Sequence, residues 1–567
     1  MFPSKERQHA LARVVAPLVA AAFFVAFGAL HYGFYTRGLL MDTPVYERYG
    51  DAIVHGGRMP YAAFGVEYPP GALPVFAAPS LIAGRGDFGR YREVFEAIML
   101  VCGAIASALV GFVLVVQRAR LPRLVGGTLL AGLAPLALGP VVLSRFDLWP
   151  AMLTVAGLAA VVAERRRLGS GLLGGAIAAK LYPGVVLPLA LVYIYRRHGR
   201  REALVCAGIA VATVVLCVLP FAAVAPHGVW ASLSGQASRP LQIESLGASL
   251  LLAAHQAWGQ PLTELSSHGS QNLVGHLPHV FAQVQALLMP AAVVGIWIAF
   301  LRGAADRDRL LRYSAAAVCA FIALGKVLSP QYLIWLIALV PLVRGRRGLA
   351  ASVLFLISLV LTQLWFPTHY LELAYGFAAR PSWFVFARDL VLLALLTTLL
   401  WPWSRRRLGL SLVGVLTMGA AAATVAAAAG LAARNSLEHS GLLQESGVAS
   451  RCGARPATLT TNPGTTAYRT TGFTNTSSST RCVTVVVRAG RRVQLFSAAY
   501  LRSFDPKNAA RRYLGDAGRC TNTAGAAGAS IRYSFRVPAQ ARFAVEVEPC
   551  NPGNAVPPYA LQVREAR

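Results

Sequence analysis

Long apolar runs separated by short knots of arginine occupy residues 1–434, whereas residues 435–567 are polar and rich in Thr, Ser, Asn and Gly. About 20 apolar residues are needed to cross the hydrocarbon core of a bilayer as a helix. The runs 14–30, 93–116, 124–143, 148–163, 203–224, 280–301, 348–366, 383–403 and 408–431 therefore predict membrane passes. Two further segments break the pattern. Between ERRR at 164–167 and RRHGRR at 196–201 only 28 residues intervene. Two full passes need about 40 residues at a rise of 1.5 Å each. Two short helices in a broken hairpin fit instead, with Lys180-Leu181-Tyr182-Pro183 at its apex. A second break, between Arg312 and Arg344, has Lys326-Val327-Leu328-Ser329-Pro330-Gln331 at its apex. Irregular backbone inside a membrane is tolerated where it is buried in protein or lines a cavity. Counting each hairpin arm gives about 13 passes.

The polar tail has another rhythm. RCVTVVVRAG, RRVQLFSAAY, SIRYSFRVPAQ, ARFAVEVEPC and YALQVREAR alternate in the manner of strands, with Gly, Pro and Asn clusters between them. This predicts an all-β sandwich, jelly-roll-like, over 435–567. The stretch resembles the jelly-roll-like appendages at the C-termini of secreted bacterial enzymes. A carbohydrate-binding or docking module and a structural cap over the membrane part both fit it. Cys452, Cys482, Cys520 and Cys550 lie here without CxxC or His spacing, which reads as two disulfides rather than a metal site. Sequence proximity favours Cys452–Cys482 and Cys520–Cys550. Cys102, Cys206, Cys217 and Cys319 sit in apolar runs as small hydrophobes.

Composition agrees with the pattern: 56% of the 567 residues are hydrophobic and only 14% charged, against about 25% charged in soluble domains. The net charge of +29 does not imply nucleic acid, because the basic residues are knots such as Arg165-Arg166-Arg167 and Arg405-Arg406-Arg407 between apolar runs. Positive loops stay cytoplasmic, and anionic lipid headgroups attract them there. The basic N-terminus is then inside an inner (plasma) membrane, and the tail outside. Disulfides demand the same placement of the tail.

Chemistry is expected on the outer side. The first outer loop begins with Asp42 and carries Glu67 and Tyr68 in an aromatic stretch. Asp42 has two readings, a general base whose carboxylate borders an apolar surface and a plain N-cap of the following helix. Arg145 is either an anion-binding group or the partner of Asp147, and Arg239 is either functional or an ordinary loop charge. Lys180 and Lys326 are ionisable residues at membrane depth, which are costly and functional by default; snorkelling is the alternative. Glu244 and Gln331 are candidates for sugar hydroxyls. His227, His255, His268, His276 and His279 match no common metal-ligand spacing, and His369 is a weaker candidate for an anion. No metal or other cofactor is expected, and no Gly-rich nucleotide fingerprint is present.

The series D…Y..YG..I..G..PY…F..EYPPGA, SRFDLWPA, AAKLYPGVVLPL, PLQIESLGA and GKVLSPQYLIW runs across about residues 40–340. It resembles the actinobacterial polyprenyl-phosphate-dependent mannosyltransferases of glycosyltransferase family 87, which have the GT-C membrane fold. That resemblance implies a polytopic α-helical GT-C-like domain over 1–434. It implies inverting transfer from a polyprenyl-phospho-sugar to a glycolipid or glycan acceptor, with Asp42 at the position of the family's base. Lys180, Lys326, Arg145 and Arg239 would then stabilise the lipid phosphate as it leaves. An arabinosyltransferase of the same fold would keep these roles. A lipid or polysaccharide transporter is the non-enzyme alternative; its usual internal repeat is missing between the two Lys breaks.

Overall fold

The apolar runs of the first part become helices, and the alternating runs of the tail become strands. The structure is a computed structural model describing residues 5–31, 42–139, 141–400, 437–443, 449–452, 461–475, 477–489, 494–504, 512–518, 520–521, 530–550 and 559–565. It divides into two units, Met1–Thr368 with Ser382–Val425, and His369–Pro381 with Ala426–Arg567.

The first unit is helical. Its elements in order are α1 (Lys5–His31), α2 (Thr43–Val54), α3 (Leu73–Ile82), α4 (Phe88–Val116), α5 (Leu121–Leu138), α6 (Val141–Ser144), α7 (Leu148–Val162) and α8 (Arg166–Ala179). Then follow α9 (Leu187–Val224), α10 (Pro226–Ala237), β1 (Leu241–Gln242), α11 (Leu246–Trp258), β2 (Thr263–Ser267), β3 (Ser270–Val274), α12 (His276–Leu301), α13 (Arg307–Leu324), α14 (Ile334–Ile337) and α15 (Gly345–Gln363). The short α16 (Tyr370–Gly376) belongs to the second unit, and α17 (Ala379–Leu400) returns to the first. Among the described residues six helical stretches are long and apolar enough to cross a membrane: Phe88–Val116, Leu121–Leu138, Tyr182–Val224, His276–Leu301, Gly345–Gln363 and Ala379–Leu400. Leu216 and Leu287 on these helices are 73% and 74% exposed, a penalty in water and none against lipid tails. The chain is a multi-pass membrane protein. The pass expected at 408–431 lies outside the described residues.

Both Lys breaks are present. Helix α8 stops at Ala179, Lys180 takes extended dihedrals, and a 3-10 turn over Tyr182–Val185 leads into α9. The second break is longer: after α13 the chain passes through 3-10 turns at Pro330–Leu333 and Val340–Leu342 on either side of the one-turn α14. Two expectations change in detail. RRHGRR is a tight junction rather than a longer loop: α9 is two helices that meet at a kink, where Gly199 leaves helical geometry at φ 84. The long outer loop of 225–279 is largely structured, with β3 pairing antiparallel to both β1 and β2.

The arginine knots meet one another. Glu164 contacts Arg307 and His198, each at 3.0 Å, and Glu202 takes Arg167 at 3.0 Å. Arg196 donates to the carbonyls of Leu301 and Gly303, and Asp308 accepts from Gln117 and pairs with Arg344. Five segments read as cytoplasmic from charge alone therefore share one end of the helical unit.

A close backbone approach explains one motif glycine. A Cβ on Gly71 would lie 2.5 Å from the Ala178 carbonyl carbon and 2.7 Å from Ala179 N, all backbone. Trp149 Nε1 also donates to the Gly71 carbonyl at 3.1 Å. The EYPPGA turn thus rests directly on the end of α8, one residue before Lys180. Gly71→Ala is expected to cost about 1–3 kcal/mol through overpacking, read as a lower melting temperature in lipid nanodiscs. An unchanged melting curve would mean that the end of α8 yields freely.

The second unit is a sandwich of antiparallel sheets. One sheet has the order β4 (Leu437–Leu443), β5 (Thr461–Thr474), β10 (Arg542–Pro549), β7 (Leu495–Leu501) and β8 (Tyr513–Asp516). The other runs β11 (Tyr559–Glu565), β6 (Arg481–Ala489), β9 (Ser530–Val537). Alternate residues fill the core between them: Val483, Val485 and Val487 from β6, Ile531, Tyr533 and Phe535 from β9, Phe543, Val545 and Val547 from β10. The disulfides are Cys452–Cys482 and Cys520–Cys550, as sequence proximity favoured. Each spans 30 residues, a loop whose closure restricts the unfolded chain.

Candidate active site

The site is built from five breaks in helical order, and each places a charge. Asp42 stands at the head of α2 with no hydrogen bond from its side chain to the helix N-terminus, because Pro44 removes one early donor. The N-cap reading is thus corrected in part: the backbone carbonyl of Asp42 starts the helix, accepting from Val45 and Tyr46 N–H at 2.8 and 3.1 Å, and its carboxylate does other work. It forms an ion pair with Arg145, and the Tyr46 hydroxyl lies 3.4 Å from the same oxygen. Thr43 Oγ1 donates to the Ser144 carbonyl at 3.2 Å, fastening α2 to the turn that carries Arg145.

That turn, Arg145-Phe146-Asp147 between α6 and α7, also corrects the second reading of Arg145. Asp147 is not its partner. Asp147 is fully buried, and its Oδ1 accepts from Lys180 Nζ at 2.6 Å and Trp335 Nε1 at 2.7 Å. Its Oδ2 has no partner among the described residues. Lys180 itself lies over three rings, Phe146 at 4.5 Å, Trp335 at 5.3 Å and Tyr332 at 5.5 Å. Trp335 is stacked between Tyr182 at 3.9 Å and Tyr332 at 4.3 Å. The two Lys breaks thus meet through Lys180, Asp147 and Trp335. Aromatics line the Asp42 side as well. Tyr46 stacks on Phe76 at 4.6 Å, and Tyr68 meets Phe146 edge-on at 4.8 Å.

The segment after α10 brings in the remaining groups. Arg239 donates to the His268 carbonyl and Ser270 Oγ at 3.1 and 2.9 Å, tying itself to the β2–β3 hairpin. It lies within electrostatic range of Lys180, Lys326 and Glu244. Gln242 N–H donates to the Lys326 carbonyl at 3.0 Å. Gln285 of α12 grips both strands of this junction: its Oε1 accepts from Gly247 N–H at 2.9 Å, and its Nε2 donates to the carbonyls of Leu324 and Gly325. Glu244 is 1% exposed, and its Oε2 has no hydrogen-bond partner among the described residues. Burial pushes its carboxyl up to about 8 against the pull of Arg388 and Arg145. Gln331 is 9% exposed, with an unpartnered Oε1.

Asp42, Arg145, Asp147, Lys180, Arg239, Glu244 and Lys326 therefore belong to one connected neighbourhood. Glu67 is exposed and faces the hairpin turn at Gly269, where a Cβ would lie 3.5 Å from its carboxylate; Arg239 binds the residues on either side of that glycine. Tyr68, next to it, is half-buried among the aromatics. The loop histidines make local contacts, His255 with the Gln260 carbonyl and His279 with Gln283. His369 pairs with Glu372 in the second unit. Among the described residues no three His, Cys, Asp or Glu groups gather as a metal site. Three residues of the neighbourhood escaped sequence reasoning: Gln285, Arg388 and Asp389. The last two carried a signal, since a buried Arg-Asp step inside an apolar run is uncommon.

No curated protein matches the chain. Among solved structures, the cryo-EM structure of arabinosyltransferase EmbB from Mycobacterium smegmatis aligns at TM-score 0.30 and 14% identity, covering 99% of this chain. The chain spans 65% of the length of that protein. Residues 67–330 match the model of glycosyltransferase family 87. They contain the SRFDLWPA, AAKLYPGVVLPL and PLQIESLGA segments that carry Arg145, Asp147, Lys180 and Glu244, together with Arg239 and Lys326. The match to glycosyltransferase family 87 is thus carried by residues 67–330.

Proposed function

We propose that the chain transfers a sugar, mannose in the first instance, from a polyprenyl-phospho-sugar to a cell-envelope glycolipid or glycan on the outer face of the plasma membrane. The observation that carries this reading is the carboxylate of Asp42 held by Arg145 beside a group of further cations, Lys180, Arg239 and Lys326. Inverting transfer needs that combination. A carboxylate takes the proton of the acceptor hydroxyl as its oxygen attacks the anomeric carbon. The bond from that carbon to the phosphate oxygen breaks, and its electron pair stays on the lipid phosphate. Fixed cations stabilise the developing charge more effectively than water does, so no strong general acid is required. A phosphate drawn to Arg145 would compete with Asp42 for the guanidinium and free Oδ2 for the acceptor. Glu244, Gln331, Glu67 and Tyr68 are then left for sugar hydroxyls. Asp147 fixes Lys180 in place.

The outward placement of the second unit is part of the same proposal, supported by its two disulfides, which persist in oxidising compartments, and by the arginine knots at one end of the helical unit. The test is an assay of the full chain in nanodiscs with synthetic polyprenyl-phospho-mannose and polyprenyl-phospho-arabinose, an envelope lipid extract supplying acceptors. Mannose in the product by mass spectrometry supports the reading. Arabinose in its place moves the donor assignment to the other sugar. Lipid flux across vesicles with no covalent product would sink the transferase reading in favour of a transporter.

A further inference from the structure

We propose that Arg388 and Asp389, neighbours on α17 and outside the family segment, are positioning residues for Glu244, fixing where its carboxylate sits and which charges it faces. Both are buried, at 0% and 1% exposure, inside a membrane-length apolar helix. Ionisable groups there are expensive unless paired or used. Their mutual contact, Arg388 Nε to Asp389 Oδ1 at 2.7 Å, is not one that helix geometry supplies unaided, since successive side chains diverge around the helix. It leaves the rest of the guanidinium for another task. Nη2 donates to the Glu244 carbonyl at 2.7 Å, reaching a loop 144 residues earlier, while the group lies 5.9 Å from the Trp365 ring. Nη1 has no partner among the described residues. A membrane helix thus grips the backbone of an outer-segment residue whose carboxylate is fully buried and incompletely bonded.

The charges facing Glu244 come from several elements. Arg388 and Asp389 lie on α17, Arg145 in the turn before α7, and Arg239 just before β1. Tyr332 faces it from the second Lys break. Ser249 of α11 lies beside Asp389. Burial raises the Glu244 carboxyl, and Arg388 opposes that more than any other charge, while Asp389 adds to it. The two neighbours therefore act on Glu244 with opposite signs. A scaffold role alone would give them the same sign.

The importance of this for catalysis rests on the reading of Glu244 as a sugar-binding group; the placement itself is tested without any substrate. The experiment is an infrared pH titration of the full chain in nanodiscs, following the protonated-carboxyl band that Glu244→Gln removes. The parent midpoint is expected near 8. Arg388→Gln takes away a cation, so the carboxylate is less favoured and the midpoint rises by about 1–3 pH units. Asp389→Asn takes away an anion, and the midpoint falls. Arg388→Lys keeps the charge and stays near the parent value. Midpoints that fail to move, or that move together, overturn the proposal, as does a parent value in the ordinary carboxylate range. If Arg388→Gln fails to accumulate, the downward shift in Asp389→Asn with an unmoved Arg388→Lys decides the matter. A failed donor assay would leave this titration standing, so the two readings fail separately.

Discussion

Asp42→Asn is expected to lower sugar transfer about 100-fold or more, the usual scale for loss of a general base, with the protein still folded. The substitution is close to isosteric and removes the capacity to take a proton. A helix-cap role would predict a nearly fully active variant, since Asn caps about as well as Asp. That role has little footing here, because the Asp42 side chain makes no capping bond and engages Arg145. Losing the negative charge leaves Arg145, only 8% exposed, with a weaker partner, so a modest fall in melting temperature is expected too. Activity and melting must be measured on the same preparation. Glu67→Gln is the comparison, because Glu67 is exposed beside the hairpin turn and is the other carboxylate in the loop's aromatic stretch. A variant at 67 that loses transfer while the one at 42 keeps it would move the base to Glu67. Normal transfer by both would remove the first outer loop from the chemistry.

Lys180→Met is expected to abolish tight donor binding and also to destabilise the protein, by about 3–5 kcal/mol, the cost of stranding the partner of a buried ion pair. The second effect arises because Asp147 is fully buried and takes Lys180 on the same oxygen as Trp335 Nε1. The single variant therefore cannot separate an electrostatic role toward the lipid phosphate from a structural one toward Asp147. Pairing it with Asp147→Asn removes both charges at once, and a large part of the lost stability is expected to return. Binding of the polyprenyl-phospho-sugar, measured on the double variant in nanodiscs, then reports the lysine's role alone. Affinity restored along with stability would mean that Lys180 serves the fold and that the phosphate is held elsewhere.

The helices were legible because apolar runs of bilayer length leave little choice of structure, and the Lys breaks because 28 residues cannot make two passes. Five of the tail's strands were legible from alternation and Val-Phe content. Strand β5, TNPGTTAYRTTGFT, was not, since threonine and glycine give it little apolar contrast. Within the site, residue types and neighbourhood were readable, but partners were not. Arg145 has a carboxylate two positions away in the chain and pairs with one 103 positions earlier; local spacing points to Asp147, and tertiary packing gives that residue to Lys180. Gln285 was invisible for a related reason. A glutamine in an apolar helix reveals nothing about which backbone it will bind.

That glutamine has a mechanical consequence. One side-chain amide holds Gly247 N–H on one side and the carbonyls of Leu324 and Gly325 on the other, while Gln242 N–H is bonded directly to Lys326. The strip bearing Glu244 and the strip bearing Lys326 are therefore riveted into a single plate. Any motion of this part of the chain must carry both residues together, so under the proposed transfer the spacing between the backbone that bears the Glu244 carboxylate and the backbone that bears the Lys326 ammonium would act as a fixed ruler.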